Sequence, residues 1–171
     1  MWMGQGKFVY MLSSALNKFR FHELALIITV IILDFVSKTW ITETFYVGEV
    51  LRVFTGFNLT LAHNLGAAFS FLADEGGWQT YFLSGLAIVM AMVFSIWLYR
   101  TPKKDRWTRL GLSLIIGGAI GNLIDRLQYG YVIDFLDLYV GTHHWPAFNV
   151  ADSAICIGTG LLLIEAFRSR K

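Results

Sequence analysis

The 171-residue chain is 56% hydrophobic and 16% aromatic, with only 15% charged residues, and its mean hydropathy of +0.55 is too high for an ordinary soluble domain. A formal charge of +2 gives no footing to a nucleic-acid-binding role, so the placement of the basic residues carries more than their sum. A single cysteine, Cys156, lies in an apolar run; this excludes an intrachain disulfide or a cysteine zinc cluster, and a buried, inert thiol is expected.

Lys7, Lys18 and Arg20 precede the first apolar run as the basic region of a secretory signal would. No small-x-small cleavage site follows, and the run continues through Asp34 to Trp40, so a retained first transmembrane helix is expected. Crossing about 30 Å of hydrocarbon takes roughly 20 apolar residues, and four runs approach that size, at 24–40, 81–99, 107–123 and 150–167. They imply a single integral membrane domain over 1–171 with an all-α core. The first outer connection, 41–80, contains FYVGEVLRVFTGFNLTLAHN, in which aromatic and β-branched residues are punctuated by Gly48 and Gly56. That pattern predicts short strands in a small extracytoplasmic β-sheet between helices 1 and 2. The second outer connection, 128–149, is short and aromatic and carries Asp134, Asp137, His143, His144 and Pro146.

Orientation follows from the basic residues. Lys7, Lys18 and Arg20 precede the first helix, Arg100, Lys103, Lys104, Arg106 and Arg109 cluster around the connection of the second to the third, and Arg168, Arg170 and Lys171 end the chain. Only Arg52, Lys38 and Arg126 lie elsewhere, so both termini are expected in the cytoplasm.

With this topology Asp34 and Lys38, Asn122, Asp125 and Arg126, and Asp152 all fall in the outer half of the membrane. An ionisable group at such depth costs about 2.5 kcal/mol or more unless paired or wetted, so the convergence suggests a site. Each residue also has a plainer explanation. Asp34 and Lys38 are spaced for an intrahelical ion pair, Arg126 has Asp125 beside it to neutralise, and Gly117 and Gly121 form a GxxxG suited to helix packing. His143 and His144 are adjacent, which is poor geometry for two ligands of one metal.

Asn149 is an N-cap candidate for the fourth helix, with Asp152 in its first turn, where backbone N–H groups and the helix dipole favour a carboxylate. Asp134, flanked by Val132, Ile133 and Phe135, leads into the same helix. Two carboxylates sharing one proton supply an acid and a base at one pH. The ionised member takes a proton from water as it attacks an amide, and the protonated member donates to the carbonyl oxygen, with no metal and no covalent nucleophile. A proton or ion relay through Asp34, Lys38, Asp125 and Arg126 is the chief alternative, but a relay needs ionisable groups at several depths. A non-enzymatic assembly factor would leave the two carboxylates without a task.

Five motifs in order, DFVSK (34–38), LAHNLGAAFSFLA (61–73), GGAIGNLIDR (117–126), GYVIDF (130–135) and PAFNVADS (146–153), resemble those of the lipoprotein signal peptidases, or signal peptidase II, of bacterial inner membranes. The resemblance implies an aspartic endopeptidase that removes signal peptides from prolipoproteins, cutting just before the diacylglyceryl-modified cysteine. By motif it assigns Asp134 and Asp152 as the catalytic dyad, Asn64, Asn122, Arg126 and Asn149 as lining the site, and Asp34, Lys38 and Asp125 as supporting it. It implies no cofactor and no metal; the partners would be lipid-modified prolipoproteins and membrane lipids, acted on by a monomer whose active site lies near the outer face. Phe35 stands where such proteins commonly carry Gln, and Asp137, outside the motif, is expected at the surface.

Overall fold

The structure, a computed structural model, describes residues 21–66 and 77–168. Lys7, Lys18, Arg20, Arg170 and Lys171, and residues 67–73 of the second motif, lie outside the described residues. Among the described residues four helices are long and apolar enough to cross a membrane: α1 Phe21–Thr44, α2 Trp78–Arg100, α3 Arg106–Tyr129 and α4 Val150–Arg168. The first three extend past the purely apolar windows, because a helix continues as long as its polar side chains find partners. Lys38, Asp125 and Arg126 therefore sit within helices.

Glycine places α3 at the centre of the bundle. A Cβ at Gly117 would lie 2.9 Å from the Val30 side chain of α1, and one at Gly121 2.7 Å from Asp34 Oδ2. On its other side, Gly111 and Gly118 face the backbone carbonyls of Gly158 and Ala151 in α4. Small residues on two faces let both neighbours approach at backbone distance, which is how helices associate where lipid removes the hydrophobic drive. The GxxxG is thus a packing surface for α1, and the residues next to it serve α4.

Asp105 caps α3 by accepting the Thr108 N–H at 3.3 Å, and Gly130 ends it in the left-handed region at φ 83°. That turn reverses the chain into β3, Val132–Val140. The strands β1, Val50–Phe54, and β2, Phe57–Asn64, form a hairpin, and β4 is His143–His144. All neighbours pair antiparallel in the order β1-β2-β3-β4. The sheet expected from the first connection is present, and it recruits β3 and β4 from the second. Asp134 lies on a central strand rather than in a loop, opposite Ala62 of β2.

Ile41 of α1 and Phe45 just after it pack with Leu61, Ile133 and Phe135 to join the sheet to the bundle. A second cluster, Ile27, Leu98, Leu112 and Ile116, ties α1, α2 and α3 together toward the other end. Cys156 corrects an expectation: it is exposed. An apolar run in a membrane helix faces lipid as readily as protein, so hydropathy does not separate the two.

Candidate active site

Two elements bring the carboxylates together. The β2–β3 pairing carries Asp134 inward until it is 2% exposed, and the first turn of α4 presents Asp152 beside it. Asn149, fully buried, links them. Its side-chain nitrogen donates to Asp134 Oδ1 at 2.7 Å, and its side-chain oxygen accepts the Asp152 N–H at 2.9 Å. Asp152 Oδ2 accepts the Asn149 N–H in return at 3.3 Å, so the pair is a reciprocal capping box whose cap residue also reaches the second carboxylate.

Two further amides complete the arrangement. Asn64 donates to Asp134 Oδ2 at 2.9 Å, and Asn122 donates to Asp152 Oδ1 at 2.7 Å. Arg126 reaches Gly66 O at 3.1 Å, anchoring the end of the segment that carries Asn64. Burial pushes the Asp134 carboxyl up to about 7, with the neighbouring Asp152 charge adding to the effect and the Asn64 and Asn149 donors opposing it. A carboxyl in this state is about half protonated at neutral pH, where an ordinary surface aspartate is fully ionised.

Behind the pair lies a buried charge cluster. Lys38 Nζ is 2.7 Å from Asp34 Oδ2, 2.8 Å from Asp125 Oδ2 and 3.1 Å from Asn122 Oδ1. Asp34 accepts the Ala151 N–H at 2.8 Å and Asp125 the Ile133 N–H at 3.0 Å. These are the residues immediately before Asp152 and Asp134. Asp125 is therefore neutralised by Lys38 of α1, and not by its sequence neighbour Arg126 as the local reading expected.

Asp137 also departs from expectation. It is 7% exposed, accepts from Asn58 Nδ2 at 2.7 Å and lies 2.8 Å from His144 Nδ1. Three positions along a strand from Asp134, it points to the opposite face of the sheet, where it ties β2 to β4. Among the described residues no group of three His, Cys, Asp or Glu side chains is placed to hold a metal ion.

The pair opens into a cleft of about 660 Å³, walled on its apolar side by Trp145, Pro146, Phe148 and Ile155. His63 also lines it, stacked on Tyr131 at 3.9 Å between ring centroids. Sequence reasoning passed over His63, whose only signal is its place next to Asn64.

Four membrane-length helices among the described residues, with a cleft between α3, α4 and a small sheet that holds two buried carboxylates, define the class: an integral membrane protein with a site built at one end of its bundle. The family description Signal peptidase (SPase) II matches residues 26–168. The chain is 47% identical over 144 residues to the lipoprotein signal peptidase of Serratia proteamaculans, spanning 84% of this chain and 85% of that one. It is 44% identical over 161 residues to that of Vibrio cholerae, spanning 93% and 94%. A solved structure described as a bacterial membrane enzyme determined by the in meso method at 2.3 Å superposes with a TM-score of 0.80 at 29% identity, covering 88% of this chain and 90% of its own. The chain belongs to the signal peptidase II family and is a membrane peptidase.

Proposed function

We propose that Asp134 and Asp152 are the catalytic pair of an endopeptidase that cleaves prolipoproteins just before a diacylglyceryl-modified cysteine. The observation that carries this reading is Asn149, which hydrogen-bonds to both residues at once and so sets two carboxylates at one reacting centre. Asp152 faces Asn122 Nδ2, the Asn149 N–H and the positive end of α4, and serves as the base. Asp134, whose raised carboxyl keeps its proton in about half of the molecules at neutral pH, serves as the acid. Water gives a proton to Asp152 as its oxygen bonds to the scissile carbonyl carbon, while Asp134 donates to the carbonyl oxygen. Collapse of the tetrahedral intermediate passes the proton on Asp152 to the departing amine of the lipidated cysteine while a hydroxyl of the intermediate returns its proton to Asp134, leaving the signal peptide with a carboxyl group and the pair as it began.

Asn64, Asn122, Asn149 and Arg126 orient the peptide and the water, and Asp34, Lys38 and Asp125 hold the backbone on which the pair rides. The Lys and Arg distribution supports cytoplasmic termini and a cleft at the outer face. There the substrate's lipid chains stay in the bilayer while the amide reaches the pair, and the edge of the sheet supplies backbone partners to an extended peptide.

The test is cleavage of a lipidated prolipoprotein by the purified protein. Asp134→Asn and Asp152→Asn are each expected to lose at least about a hundredfold in rate, the scale of a lost general acid or base, with folding intact. Asp137→Asn, on the far face of the sheet, is expected to be much milder. Retained activity in either of the first two variants overturns the assignment.

A further inference from the structure

The face of the sheet turned away from the catalytic pair carries a polar junction of its own. Asp137 lies opposite Asn58 in the β2–β3 pairing and accepts from its side-chain nitrogen at 2.7 Å. From the other side His144 Nδ1 reaches both oxygens of Asp137, at 2.8 and 3.0 Å; a carboxylate accepts, so the ring is the donor. That ring also stacks on Tyr139, its cross-strand partner, with centroids 5.0 Å apart. One carboxylate thus joins β2, β3 and β4, and the strand period lets β3 serve both faces: Asp134 and Leu138 line the cleft while Asp137 and Tyr139 point away from it.

The strand β4 depends on this junction. It is two residues long and lies at the edge of the sheet, shorter than strands that hold by backbone pairing alone. Trp145 donates its N–H to Leu138 O at 2.7 Å, but Pro146, with no N–H to give, interrupts the ladder at the next residue. The chain rejoins β3 at Phe148, whose N–H donates to Leu136 O at 3.0 Å and whose carbonyl accepts the Leu136 N–H at 2.8 Å. Between these anchors, residues 145–148 form one wall of the catalytic cleft.

We propose that Asp137 and His144 are positioning residues for the peptidase reaction: their hydrogen bond latches residues 145–148 against β3 and so sets the wall that receives the substrate's apolar groups beside the scissile bond. This rests on the function proposed above for the cleft. The wall holds the substrate before and during the reaction alike, so loosening it weakens binding and leaves the catalytic carboxylates untouched; a raised KM with kcat kept is the signature. A cleft whose wall is in place only part of the time binds in proportion to that fraction. A pair that merely stabilised the sheet would change unfolding and leave KM alone.

Substitutions at one position separate the donor from the ring. His144→Phe keeps an aromatic ring for Tyr139 and removes the donor, whereas His144→Asn sets an amide N–H where Nδ1 stands and gives up the ring. In the full chain, His144→Phe is expected to raise KM for a lipidated prolipoprotein by about fivefold, the scale of one net hydrogen bond, with kcat near the parental value. His144→Asn should restore the parental KM, and His143→Ala, an exposed neighbour outside the junction, should match the parent throughout. Amide hydrogen exchange supplies a readout that needs no activity: amides in 143–148 should exchange severalfold faster in His144→Phe while the four helices keep their parental rates. Parental exchange in that segment overturns the latch, whether or not Asp134 and Asp152 prove to be the catalytic pair, which their own Asn variants decide. Faster exchange with an unchanged KM overturns its link to the cleft. A fall in kcat at constant KM overturns it as well, since the pair would then act on the catalytic carboxylates, and so does a KM that stays raised in His144→Asn, which would give the role to the ring.

Discussion

Lys38 of α1 lies 2.8 Å from Asp125 of α3, Nζ to Oδ2, and the same ammonium also holds Asp34. One cation thus neutralises two carboxylates, and each of those accepts the backbone N–H just before one member of the proposed pair. The separation of Asp134 from Asp152 is therefore referred to a single buried charge.

Removing that charge without its partners is costly. Lys38→Met leaves two carboxylates buried with no cation, and the loss is expected to be about 3–5 kcal/mol, typical of a broken buried pair. Thermal unfolding in detergent measures it. Adding Asp34→Asn and Asp125→Asn to Lys38→Met should recover much of the loss, since each Asn keeps an oxygen for Ala151 or Ile133. A Lys38→Met variant as stable as the parent would show that the cluster is solvated and sets nothing.

The protonation of Asp134 predicts how activity and stability change with pH. Its carboxyl is raised from 3.8 to about 7, so the folded protein holds the proton more tightly than the unfolded chain does. The stability this supplies is complete below about pH 3.8 and is lost as pH rises through about 7. As the proposed acid, Asp134 must keep its proton, so kcat/KM should fall on the alkaline side of about pH 7. Asn64 donates to the carboxylate and opposes the shift; Asn64→Ala should therefore move the alkaline limb to higher pH even as the rate drops. A pH–rate profile with no alkaline limb, or a limb that stays put in Asn64→Ala, would remove Asp134 from the acid role.

Much of this architecture is legible in the sequence because a bilayer leaves few options. Apolar runs of spanning length become helices, and the basic residues orient them, which brings Asn122, Asp134, Asn149 and Asp152 to one depth although they are scattered along the chain. The strand β3 is harder to read. VIDFLDLYV does not alternate cleanly, and it is a strand because β2, about 70 residues earlier, pairs with it. The partner of Asp125 is illegible for the same reason: Arg126 is adjacent in sequence, but consecutive helical residues point apart, and Lys38 arrives from another helix. Asp137 and Cys156 were misread because period and hydropathy do not tell which neighbour covers a given face.

Asn149 has two tasks that substitution can separate. As a cap it accepts the Asp152 N–H, and as a donor it reaches Asp134. Serine keeps the first and loses the second. Asn149→Ser is expected to cost little stability, whereas Asn149→Ala should cost about 1 kcal/mol, the usual value of a lost N-cap. Both should lose most of their peptidase activity, because neither donates to Asp134. Full activity in Asn149→Ser would mean that capping is the whole of its contribution.

The approach of α3 to α4 ties helix packing to the site. A Cβ at Gly118 would overlap the Ala151 carbonyl, and Ala151 is fixed from behind by Asp34, so α4 cannot retreat without breaking that bond. Gly118→Ala is therefore expected to tilt the first turn of α4, displace Asp152 and lower the cleavage rate by tenfold or more, since misplacing a reacting group by about 1 Å costs on the order of a hundredfold. Gly160→Ala, on the same helix as Ala151 but with nothing within 4 Å of its added methyl, is the matched control and should cleave at the parental rate. Measuring both rates on one lipidated substrate, with unfolding temperatures alongside, separates a displaced carboxylate from a loosened bundle. A Gly118→Ala variant that unfolds earlier yet cleaves normally would show that the first turn of α4 takes its position from the sheet rather than from α3.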